Sequence, residues 1–247
     1  MKLSCASAGI IIATVALSAC TRSSGSHGTP VKAGSNDTPL KLTATLVDPV
    51  NIDLKWNTRV DRAAGYFVEY SPNANNEFDI VDAIPPDATS FRHPDLMPRT
   101  RFVYRVLPYF GPASNVVELD TGKKGPQQPA PKSAYKKTPV VNGKSIRSEA
   151  TVQEAAPTNL TAVLVPPAGV RLAWQSHSTD EDGFLVEIKE ASAPEFKVSV
   201  FLDPGTTSLV SYGFPFNSKF LIRVRAFYYG QPSNLAEATT SKDPRFP

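Results

Sequence analysis

Two cysteines, three histidines and no long apolar run deny this 247-residue chain several common chemistries. The cysteines stand at positions 5 and 20, so no disulfide can brace the rest of the chain. The histidines, His27, His93 and His177, are too scattered to form a sequence-local metal or acid–base cluster. There is no G-x-S-x-G elbow, no H-E-x-x-H and no phosphate-cradling glycine loop, so nothing positive points to catalysis. The chain is read as a non-enzyme without a cofactor. Helical periodicity is missing from every long stretch. With 23 prolines against 14 glycines, the composition suits short strands separated by Pro-marked turns.

What is present begins with Met1-Lys2, the apolar run "AGIIIATVALSA" and the junction "LSAC", with no acidic residue before Cys20. A basic start, an apolar core and small residues describe a secretory signal over 1–19. The run is shorter than the roughly 20 residues that span a bilayer. Leu17, Ser18, Ala19 and Cys20 resemble the lipobox of bacterial lipoproteins. That resemblance implies cleavage before Cys20, multiple acylation of this cysteine and a stable membrane anchor. It also implies residence in the bacterial cell envelope, at the outer membrane in a Gram-negative host, since Thr21 and not Asp follows. Residues 20–37, rich in Ser, Gly and Thr, are expected to be a flexible tether.

An internal repeat organises the remainder. "PLKLTATLVDPVNIDLKWN" at 39–57 aligns with "PTNLTAVLVPPAGVRLAWQ" at 157–175, an offset of 118. The same offset superposes Trp56 on Trp174, Gly65 on Gly183, Phe102 on Phe220 and Arg105 on Arg223. One extra residue near Tyr229 then brings "GPASNVVE" onto "GQPSNLAE". Inside each copy apolar residues alternate with polar ones, as in Ile52, Leu54 and Trp56, which marks strands with one buried face. Roughly seven short strands in about 85 residues predict an all-β sandwich per copy.

Both copies resemble fibronectin type III domains. The carriers are the opening Pro with "LTA", Trp56 and Trp174, "GYFVEYS" and "GFLVEIK", and "LMPRTRFVYRV". The resemblance implies two tandem type III sandwiches joined by a flexible linker. The expected layout is domain 1 at 38–121, a basic Pro/Lys-rich linker at 122–155, domain 2 at 156–243 and a tail at 244–247. The family's corner tyrosine is replaced by Phe102 and Phe220, which removes a hydroxyl bond of about 1 kcal/mol from each corner.

Residues 122–150 carry a net charge of +6, whereas 38–120 and 151–243 each carry −3. This basic stretch reads either as a contact for anionic envelope polymers and lipid phosphates or as a solvated spacer. Nucleic acid is not expected as a partner.

Three further groups are candidates for chemistry. Asp180, Glu181 and Asp182, beside His177 in "QSHSTDEDG", form either an oxygen-rich cation loop or a turn opening a strand. Glu187 and Glu190 are expected on an exposed strand end. Tyr109 and Phe110 in "LPYFG" and Phe227, Tyr228 and Tyr229 in "AFYYG" are expected near loop tips. There they would bind a sugar or protein partner, or pack against the core or the neighbouring module. The resulting expectation is a lipid-anchored, non-catalytic spacer or protein-binding module, with glycan or peptidoglycan binding as the alternative.

Overall fold

The computed structural model describes residues 39–72, 77–122, 133–166 and 169–242. The expected signal, lipobox with Cys20, tether and tail lie outside the described residues. Among the described residues no helix is long and apolar enough to cross a membrane.

The first repeat supplies β1 (Leu42–Asp48), β2 (Asn51–Trp56), β3 (Gly65–Pro72), β4 (Asp79–Ile84), β5 (Ser90–His93) and β6 (Arg101–Phe110). After them come β7 (Val117–Asp120) and β8 (Tyr135–Lys137). The second repeat supplies β9 (Thr158–Val165), β10 (Gly169–Gln175), β11 (Gly183–Glu190), β12 (Lys197–Leu202), β13 (Thr206–Tyr212), β14 (Lys219–Tyr229) and β15 (Ala236–Thr239).

These strands build two fibronectin type III-like sandwiches. In the first, the sheet β1-β2-β5 faces β15-β6-β3-β4; in the second, β8-β13-β10-β9 faces β7-β14-β11-β12. The alternating residues fill the cores as expected. Ile52, Leu54, Trp56, Tyr66, Val68, Phe102 and Tyr104 pack in one. Their counterparts Val170, Leu172, Trp174, Phe184, Val186, Phe220 and Ile222 pack in the other.

The last strands are exchanged. β7 follows β6 in the chain but pairs with β14, and β15 follows β14 but pairs with β6. Side-chain volumes match across one pair of positions. Bulky Tyr104 on β6 stands opposite Ala236, whereas the smaller Ile222 on β14 stands opposite Val117. The motifs "GPASN" and "GQPSN" clamp the crossings. Asn115 accepts from Leu160 N at 3.0 Å and donates to Leu160 O, while Ser114 Oγ accepts from Val224 N at 3.0 Å. Asn234 does the same with Leu42 N at 2.8 Å and Leu42 O, and Ser233 with Val106 N at 3.0 Å. The limits 38–121 and 156–243 therefore mark the sequence repeat and not the sandwiches. The second sandwich is continuous from Val117 to Tyr229 with its last strand placed first. It is inserted between β6 and β15 of the first.

The expectation of a flexible linker over 122–155 fails from residue 133 onward. β8 pairs with β13, Val141 N donates to Ser176 O at 3.0 Å, and Lys144 N to His177 O at 2.8 Å. Ile146 and Ala155 are fully buried in the second core. Charge made this stretch look solvated, but its lysines face water while two apolar anchors hold it down. Residues 123–132 lie outside the described residues.

Candidate functional site

The ends of β6 and β14 meet antiparallel, with Tyr109 opposite Tyr229 and Phe110 opposite Tyr228. One sheet, β12-β11-β14-β6-β3-β4, thus runs through both sandwiches. Glycine makes this junction possible. A Cβ on Gly65 would lie 2.4 Å from the Tyr109 hydroxyl, and one on Gly183 would lie 2.9 Å from the Phe227 ring. Tyr109 on β6 and Phe227 on β14 therefore each lie flat across the strand beside them. Phe67, Tyr109, Leu185 and Phe227 close into a third apolar cluster between the sandwiches. Phe67 stacks on Tyr109 at 4.5 Å and meets Phe227 edge-on at 5.4 Å.

Tyr109 and Phe227 are 3% and 2% exposed, so the expectation that they sit at loop tips is corrected. The covering surface is the partner sandwich, which a single repeat does not reveal. Burial pushes the Tyr109 hydroxyl well above its ordinary pKa.

Phe110, Tyr228 and Tyr229 are half-buried and line a cleft of about 1560 Å³. Its walls come from the start of β1, the 60–62 loop, both crossings and the 146–153 turn. Phe110 and Tyr228 stack at 5.3 Å, and the Arg147 guanidinium lies 4.8 Å over the Tyr228 ring. Burial raises the Tyr228 pKa, while Arg147 and Arg62 pull it the other way. Arg62 Nη2 and Glu149 Oε1 form an ion pair at 2.6 Å between two exposed side chains, linking the first sandwich to the turn. The floor is aromatic and prolyl, the rim charged. Sequence reading missed Arg62, Arg147 and Glu149, because nothing in "GKSIRSEA" announces a wall.

The acidic loop has the turn role. Asp180 accepts from Ser145 Oγ at 2.6 Å and Ile146 N at 2.8 Å. Asp182 takes Arg147 Nη2 at 2.8 Å and Tyr229 N at 2.9 Å, and Glu181 takes Gly205 N at 3.0 Å. Its carboxylates pin the connector and the junction. His177 joins them, with Nε2 at 2.8 Å from Thr158 Oγ1 and Nδ1 at 2.5 Å from Val141 O. Among the described residues no three His, Cys, Asp or Glu side chains gather as a metal-ligand set. His93 is half-buried 3.1 Å from the Tyr104 hydroxyl, and burial lowers its pKa. His27 and the lipobox residues Leu17, Ser18, Ala19 and Cys20 lie outside the described residues.

Glu187 departs from expectation. It is 3% exposed and holds both Arg223 Nε and, at 2.7 Å, Arg225 Nε. Its counterpart Glu69 is buried against Arg105 Nε at 2.6 Å. Glu190 is only half-buried. The outer faces of β3 and β11 are covered at the junction, which moves these carboxylates inside.

No known family profile matches the chain. Human integrin beta-4 is 26% identical over 216 residues, which cover 81% of this chain and 11% of that protein. The chain thus spans about a tenth of the length of that relative. A two-domain type III segment of chicken tenascin is 15% identical, covers 83% of this chain and all of its own, and has a TM-score of 0.27. The type III domains 1–3 of chicken CNTN1 are 13% identical over 83% of this chain and 99% of that one, again with a TM-score of 0.27. The strand order above, and not these overlays, carries the fold. The chain holds two type III-like sandwiches, a fold that does not by itself fix a function.

Proposed function

We propose that this chain is a lipid-anchored, non-catalytic module of the bacterial cell envelope that presents the junction cleft to an envelope protein. The observation that carries the reading is the cleft, framed by a sheet shared between both sandwiches and so held in one shape. A rigid concave surface with an aromatic floor and a charged rim suits a specific partner. The "LSAC" junction supports the anchor. Crosslinking pull-down from envelope extract should recover a partner with the unaltered protein and lose it with Tyr228→Ala/Arg62→Glu. Recovery of nothing, or equal recovery by the folded variant, removes the reading. Fractionation tests the anchor separately: Cys20→Ala should move the protein from the membrane to the soluble fraction.

The alternative, binding of a polysaccharide or peptidoglycan, is favoured by one feature, the half-buried rings of Phe110, Tyr228 and Tyr229 along the cleft. Tyr228→Ala/Tyr229→Ala should abolish retention on a peptidoglycan column while circular dichroism stays unchanged. Undiminished retention refutes it.

A further inference from the structure

The exchanged strands are held unequally. β7 places Leu119, 4% exposed, in the second core and adds the partly buried Val117. β15 contributes only two alanines, Ala236 at 9% exposure and the partly buried Ala238. Its remaining hold is polar: the ladder to β6, the Ser233 and Asn234 clamps, and Thr240 N on Thr100 O at 3.0 Å. β15 therefore buries little apolar side chain, and a strand with few buried apolar contacts opens at lower cost than one anchored in a core.

Releasing β15 leaves the second sandwich intact, because that sandwich is continuous from Val117 to Tyr229. What opens is a slot along β6, from Tyr104 to Arg101, shaped for small side chains. The slot is already filled by a strand of the other repeat. It therefore selects by complementarity and not by chain neighbourhood, and only proximity distinguishes the chain's own β15 from one on another copy.

We infer that β15 is an exchangeable strand and that the partner for the open slot on β6 is a second copy of this chain, giving strand-exchanged dimers. In the dimer the ladder of β15 and its bond to Thr100 are remade with the other copy's β6. Concentration drives it, since the slot in one copy must wait for a strand from another.

The test uses the full chain carrying Cys5→Ser and Cys20→Ser, in which Arg101→Cys and Thr239→Cys, directly opposite across β6 and β15, are the only cysteines. Unlabelled and nitrogen-15-labelled proteins are mixed at high concentration, warmed to just below unfolding and cooled. Oxidation after mixing should trap a covalent dimer, with mixed-isotope species making up about half of it, the statistical share. Oxidation before mixing should close the disulfide within each chain and abolish the dimer. Asn234→Ala, which removes the clamp on Leu42, should raise the rate of label mixing by about tenfold. Absence of a covalent dimer overturns the inference. So does a dimer that forms equally after prior oxidation, which would place the association on a surface and not on β15.

Discussion

Glu187 is the residue most at odds with its appearance in the sequence. "VEIK" reads as a strand leaving the core, where alternation puts a carboxylate in water. Yet β3 and β11 are buried on both faces, the inner by a sandwich core and the outer by the other sandwich, so a period of two cannot be seen there. Enclosed with Arg223 and Arg225, Glu187 neutralises two guanidinium groups that are themselves largely shielded. Truncating it leaves those cations facing each other in a poorly solvated space. Glu187→Ala should lose about 3–5 kcal/mol in urea denaturation. Glu69→Ala, which strands Arg105 alone, should lose less. His93 gives a residue-scale pH dependence. Burial lowers its folded pKa, so protons bind the unfolded chain better and stability falls as pH drops below about 6.5. That loss levels off once pH passes the depressed folded value. His93→Gln should flatten this part of the urea midpoint profile between pH 7.5 and 5.5; an unchanged profile would assign the dependence to other groups.

Among the elements, strands with one covered face were legible, and those whose outer face meets the other sandwich were not. β1, β2, β9 and β10 alternate as the residues suggest, because water lies on their outer side. The aromatic pairs closing β6 and β14 were recognised as special, but their burial depends on a surface 118 positions away in sequence. The aligned glycines at 65 and 183 were visible as a repeat, without a reason. Their reason is close approach: a Cβ at Gly65 would stand 2.6 Å from Ile84 O, and one at Gly183 2.3 Å from Leu202 O. Backbone atoms cannot swing aside as a long side chain can. Gly65→Ala should therefore cost about 1–3 kcal/mol and lower the melting temperature. It should also perturb the near-ultraviolet signal of Tyr109, since the new methyl meets that ring's hydroxyl. A melting temperature within a degree of the unaltered protein would mean that the junction is looser than it looks.

At the scale of the molecule, the repeat found in the sequence and the units that fold are offset from each other. A sequence repeat invites two beads on a string, and no local signal says that β7 and β15 change places. The pairs that meet are spread over the whole chain: Tyr104 stands opposite Ala236, and Ile222 opposite Val117. A fragment comprising residues 112–232 should accordingly fold alone, since it contains β7, β8, Ile146 and every strand of the second sandwich. A fragment following the repeat, 156–243, can fill its open edge on β14 only with its own β15. That strand offers Ala236 and Ala238 where Val117 and Leu119 belong, and the fragment lacks Ile146 as well. Losing a buried leucine to alanine costs about 2–5 kcal/mol, and the missing isoleucine leaves a second void. Set against a stability of about 5–15 kcal/mol for a domain, the sum brings 156–243 to the edge of unfolding. Urea titration followed by near-ultraviolet circular dichroism separates the two fragments: a sharp transition for 112–232, and a weak or absent one for 156–243. Equal stability would mean that each repeat closes on its own last strand, and the two sandwiches would be beads after all.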